Sequence, residues 1–136
     1  MCSTTEAAEL LLPESLQAPA VARGFALHSR CTDHAGKVLD EALLMISELV
    51  TNSLLYAAPP ILLSIECDGS GIHVRVRDNT PALPKQRRTA RDDEGGRGLP
   101  LVEQLADTWG VEAVADQHGL GKAVWFELRT GPASPP

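Results

Sequence analysis

Across residues 34–57 the apolar side chains Leu39, Leu43, Ile46 and Val50 recur at intervals of four, three and four. That rhythm predicts one amphipathic helix over 34–57, with a stripe that must be buried against a second layer. Pro59 and Pro60 end it, because proline and the residue before it resist helical backbone. The period then changes from helical to alternating. Ile61, Leu63, Ile65 and Cys67 share one face of a strand over 61–67, and Ile72, Val74 and Val76 share one face of a strand over 72–78. Asp68-Gly69-Ser70-Gly71 between them is a hairpin signal. A long amphipathic helix followed directly by a hairpin favours helices packed on one face of a sheet.

The rest of the chain extends the same pattern. Residues 8–13 (AELLLP) read as an edge strand ended by proline. A helix over 19–28 has Pro19 in its first turn and passes through Val21, Phe25 and Leu27. Leu101, Val102 and Leu105 mark a helix over 99–108, and strands over 109–114 and 122–129 flank the turn Asp116-Gln117-His118-Gly119. The expected fold is an α/β two-layer sandwich, a mixed, mainly antiparallel sheet with helices on one face. At 136 residues a single domain is expected, over 8–130, with a flexible N-terminus at 1–7 and a disordered tail at 131–136.

Composition excludes several classes of function. Twelve basic against eighteen acidic residues give a net charge of −6, the wrong sign for direct nucleic-acid binding. No apolar run approaches the ~20 residues of a membrane span, and MCSTTEAAEL has no signal-peptide pattern, so a cytoplasmic location is expected. Cys2, Cys31 and Cys67 form no C-x-x-C pair and read as reduced thiols. The four histidines have no metal-site spacing, and no P-loop motif is present.

Three motifs could carry chemistry. Glu48 and Asn52 lie one helical turn apart, on the side opposite Leu39. Together with Glu41, and flanked by Leu44, Met45 and Leu55, they suggest a pocket wall. A carboxylate and a carboxamide so placed could hold a water and a hydrated Mg2+. Asp78 falls on the apolar side of its strand, where a carboxylate needs a hydrogen-bond partner or a ligand, such as the exocyclic amine of a base. Gly95-Gly96-Arg97-Gly98-Leu99 runs straight into a helix, a setting in which backbone N–H groups and a forked guanidinium can meet phosphate. Each motif alone also has a plain structural reading: a solvated helix face, a turn-starting aspartate, a mobile loop. The segment 79–98 is poor in apolar residues and long for a connection. Within it, residues 85–98 carry five basic and three acidic side chains, a charge of +2 that suits a phosphate-facing lid.

In order and spacing, these motifs resemble the nucleotide-binding domain of the GHKL superfamily (gyrase, heat-shock chaperone, histidine kinase, mismatch-repair ATPase). Glu48-x-x-x-Asn52 resembles its N box, Asp78 the aspartate that opens its first glycine box, and Gly96-Arg97-Gly98-Leu99 its second. Ser47-Glu48-Leu49-Val50-Thr51-Asn52, Trp109-Gly110-Val111 and Gly121-Lys122-Ala123-Val124-Trp125-Phe126 bring it closest to the anti-sigma factor serine/threonine kinase branch. The resemblance implies a histidine kinase-like ATPase fold that binds ATP and Mg2+, with a lid at about 79–98. It implies Glu48 as the catalytic residue and Asn52 as the metal ligand. Asp78 would read adenine, and Gly95, Gly96, Arg97, Gly98 and Leu99 would line the phosphate end. The partners it implies are a sigma factor and an anti-anti-sigma protein phosphorylated on serine, with homodimerisation common in the branch. The first glycine box here reads Asp78-Asn79-Thr80-Pro81-Ala82, without its glycines. That departure keeps open an alternative, a non-catalytic regulatory binding module of the same fold.

Overall fold

A computed structural model describes residues 8–28, 38–67, 71–80 and 98–129. In chain order these form β1 (Ala8–Leu11), α1 (Ala18–Leu27), α2 (Leu39–Tyr56), β2 (Leu62–Cys67), β3 (Gly71–Asp78), α3 (Gly98–Leu105), β4 (Thr108–Asp116) and β5 (Gly119–Arg129). The strands make one five-stranded sheet in the order β1-β2-β3-β5-β4. Among the described residues all four pairings are antiparallel, in keeping with the expected mainly antiparallel sheet. The N-terminal segment, the tail and lid residues 81–97 lie outside the described residues.

Alternation works as expected in the sheet. Leu63, Ile65, Val74, Val76, Phe126 and Leu128 all face one way and pack with α1, α2 and α3 in a single core. From α1 come Ala18, Ala22 and Ala26, from α2 Met45, Ile46, Leu49 and Val50, and from α3 Val102. Each large buried aliphatic stabilises the fold by roughly 1.5–3 kcal/mol relative to an exposed one. Pro19 sits in the first turn of α1, and Asp40 and Glu41 place negative charge at the positive end of α2.

The stripe of α2 is rotated from its expected position. Its buried face is Ala42, Met45, Ile46, Leu49, Val50 and Ser53, while Leu39 and Leu43 pack only at the margin. Met45, expected beside the polar face, is fully buried. Counting large apolar residues misses Ala42 and Ser53, two small residues of the buried face. The last helix is shorter than 99–108. Ala106 N–H still bonds Val102, but Asp107 N–H donates to the Glu127 carbonyl, and the chain joins the sheet at Thr108.

One further expectation is corrected. Cys67 is disulfide-bonded rather than a reduced thiol; Cys2 and Cys31 lie outside the described residues, and thiol spacing in sequence does not report proximity in space. Arg77, on the outer face of β3, is buried, at 2% exposure. Elsewhere that outer face is half-open and polar. His73 stacks on Trp125 at 5.5 Å, and Glu127 accepts from Thr108 and is paired with the His73 ring. None of the described helices is long and apolar enough to cross a membrane.

Candidate functional site

Asp78 ends β3 on the inward face, continuing the set Ile72, Val74 and Val76, and is 1% exposed. A carboxylate removed from water this far requires partners. It has three. Lys122 Nζ donates to Oδ2 at 2.5 Å, Ser53 Oγ donates to the same oxygen at 3.3 Å, and the Thr80 N–H donates to Oδ1 at 2.8 Å. Lys122 stands directly opposite Asp78 in the β3–β5 register. Ser53 belongs to α2, so the helix and the strand end meet at this carboxylate.

The strand end is held from two further sides. Asn79 N–H donates to the Ala58 carbonyl at 2.8 Å, and Ala58 N–H to Thr80 Oγ1 at 2.7 Å, which joins the end of α2 to the start of the long loop. On the outer side Arg77 acts as a clamp. Its Nε and Nη2 grip the two oxygens of Asp116 at 3.0 and 2.8 Å, Nη2 also reaches the Gly119 carbonyl at 2.7 Å, and Nη1 reaches Asn79 Oδ1 at 2.5 Å. Asn79 Nδ2 then donates to the His118 carbonyl at 2.8 Å. The His118 backbone N–H, with the Arg77 guanidinium beside it, holds the Asp116 carboxyl below its ordinary range. Gly121 seals this corner: a Cβ there would lie 2.0 Å from the Asp78 carbonyl oxygen.

Glu48 and Asn52 are both half-buried on α2, one turn apart as the spacing predicts. Ser53, next to Asn52, is the residue that touches Asp78. Glu48 has no hydrogen-bond or ion-pair partner among the described residues. Among those residues no cluster of three His, Cys, Asp or Glu could hold a metal ion. A cation here would therefore depend on Asn52 together with ligand oxygens and water, which is the habit of Mg2+. Gly98 opens α3 and Leu99 follows in its first turn, so the glycine-rich box does lead into a helix. Gly95, Gly96 and Arg97 lie outside the described residues.

The structure thus brings Asp78 and the Asn52 end of α2 to one place. Sequence reasoning missed Lys122, Ser53 and Arg77. A signal existed for Lys122, which shares its parity with Val124, Phe126 and Leu128 and so belongs to the inward set. The donor set fits a nucleotide: a buried carboxylate can accept from a base amine, and a carboxamide oxygen on the adjoining helix can serve a hard cation.

No curated protein matches the chain. A family model described as the histidine kinase-like ATPase domain matches residues 11–128, a span that takes in every element from the end of β1 almost to the end of β5. An ATPase domain of this kind implies ATP binding, and over this span the chain belongs to the histidine kinase-like ATPase domain family.

Proposed function

We propose that the protein is an ATP- and Mg2+-binding anti-sigma regulatory factor that acts as a serine kinase on an anti-anti-sigma partner. The observation that carries this reading is Glu48, a half-buried carboxylate without a partner of its own among the described residues. It lies one turn from Asn52, on the helix that touches Asp78 through Ser53. ATP, when bound, supplies the γ-phosphoryl group. Glu48 takes the proton from the attacking serine hydroxyl of the partner. Asn52 offers its carboxamide oxygen to Mg2+. Asp78 accepts from the base amine, and Arg97 with the N–H groups of Gly95, Gly96, Gly98 and Leu99 stabilises phosphate charge. Phosphoryl transfer needs little more of a protein than such positioning and charge stabilisation.

The test is transfer of labelled phosphate from ATP, with Mg2+, to candidate anti-anti-sigma proteins. Transfer that disappears in Glu48→Ala supports the kinase. Absence of transfer by the native chain, or equal transfer by Glu48→Ala, removes it.

A second reading, a non-catalytic binding module, is favoured by one observation. The Asp78 carboxylate already has internal donors on both oxygens. That reading expects contact with a regulator without turnover, and calorimetric binding of ATP abolished by Asp78→Ala counts against a nucleotide-free module.

A further inference from the structure

We infer that Lys122 is a built-in occupant of the base site, an ammonium that must leave Asp78 before a nucleobase can be read there. The inference rests on the nucleotide reading above. Oδ2 of Asp78 accepts from Lys122 at 2.5 Å and from Ser53 at 3.3 Å, and Oδ1 accepts from the Thr80 N–H at 2.8 Å. Three of the roughly four acceptor positions of this carboxylate are taken, and Asp78 is 1% exposed, so a base amine reaches it only where one of these donors makes way.

The three donors differ in their freedom to go. Thr80 N–H is a backbone group, fixed by the neighbouring bonds between Ala58 and both Asn79 and Thr80. Ser53 lies on the buried face of α2 at 7% exposure, and its short side chain is carried by the helix backbone, so its hydroxyl has little room to withdraw. The Lys122 side chain is 23% exposed and ends a flexible four-carbon stem, so its ammonium can swing to solvent without moving the backbone. Lys122 is therefore the donor that yields. Its anchor does not move with it, because Gly121 lies hard against the Asp78 carbonyl and fixes β5 against β3 at that point.

An internal competitor lowers apparent affinity by the fraction of time the site is free. Ligand binding to the native chain is weakened accordingly, and the weakening disappears when the ammonium is removed. One charge-assisted hydrogen bond corresponds to roughly ten- to a hundredfold in an equilibrium constant.

The experiment is calorimetric titration of the native chain, Lys122→Met and Lys122→Arg with ATP and Mg2+ at pH 8, with circular dichroism to check folding. Lys122→Met should bind roughly ten- to a hundredfold more tightly than the native chain. Lys122→Arg should bind more weakly, because a guanidinium grips a carboxylate in a fork. The Arg variant keeps a cation on Asp78, so it provides the comparison if the Met variant does not fold. Native binding that Lys122→Met leaves unchanged or weakens overturns the inference alone, and so does Lys122→Arg binding as tightly as the native chain. Absence of binding by the native chain and by both variants overturns the nucleotide reading and the inference with it.

Discussion

Arg77 and Asp116 are joined by two parallel hydrogen bonds, 3.0 and 2.8 Å long, between a guanidinium at 2% exposure and a carboxylate at 38%. The pair is one-sided: Asp116 can fall back on water, and Arg77 cannot. The remaining Arg77 donors go to Asn79 Oδ1, to the Gly119 carbonyl and, at 3.4 Å, to the Asp78 carbonyl, so one side chain ties the end of β3 to the β4–β5 turn. Its position on the chain, immediately before Asp78, makes it a positioning residue for the site.

Arg77→Met should therefore destabilise the fold by about 2–4 kcal/mol. That cost comes from lost packing and from the Asn79 and Gly119 oxygens left short of a donor, and Asp116 adds little to it. Urea denaturation measures this directly. A midpoint unchanged from the native chain would mean that the clamp is dispensable.

Gly121→Ala tests the other side of the same corner. A methyl group 2.0 Å from the Asp78 carbonyl oxygen can be accommodated only by parting β5 from β3, since the atom it meets is backbone. The expected loss is about 3 kcal/mol or more, at the upper end of single substitutions. ATP affinity should fall too, because the backbone that carries Asp78 is itself displaced from its place beside α2. Gly24→Ala is the comparison: no heavy atom lies within 4 Å of a Cβ there, and alanine favours a helix by about 1 kcal/mol over glycine.

Much of this arrangement is readable from the chain, and the parts that are not share a cause. Alternation along β3 is enough to place Asp78 among buried residues, and the four-residue step from Glu48 to Asn52 is enough to place both on one helix face. Alternation cannot supply register. Lys122 has the parity of a buried residue, but only strand pairing sets it opposite Asp78. Arg77 has the same parity as Arg75, and the sequence does not distinguish them. Arg75 bonds Glu112 on a half-open face, whereas Arg77 is enclosed because the turn at 117–118 folds Asp116 and the Gly119 carbonyl over it. Gly119, at φ +101, makes that turn geometry available. The rotated stripe of α2 has a related origin. A small buried residue such as Ala42 is visible to packing and invisible to a count of large apolar side chains.

Glu48→Gln should separate chemistry from folding. Glu48 is half-buried with no partner among the described residues, so loss of its charge removes no ion pair within them. Stability should stay within about 0.5 kcal/mol of native, and ATP affinity should change little. Phosphate transfer should drop by about 100-fold or more, the scale of a lost general base. A large fall in stability instead would show that Glu48 is structural and that the kinase reading has lost its carboxylate.

The pH dependence of stability follows from two outer-face carboxyls. Hydrogen bonds hold both below their ordinary values: Asp116 mainly through the His118 backbone N–H, and Glu127 mainly through the Thr108 hydroxyl and then the His73 ring. A carboxyl depressed in the folded state contributes stability that is fully present above its unfolded value. It loses that contribution as pH falls through the folded one. The ordinary values are 3.8 and 4.5, so both contributions should be complete near pH 6 and should shrink below about pH 4. Many other carboxyls titrate over the same interval, so the informative quantity is a difference. The gap in urea midpoint between the native chain and Asp116→Asn should be constant from pH 7 to pH 6 and should close as the pH is lowered through the acid range. Glu127→Gln should behave in the same way. A gap that widened on acidification would mean that these carboxyls are raised in the folded state and that their hydrogen bonds favour the protonated form.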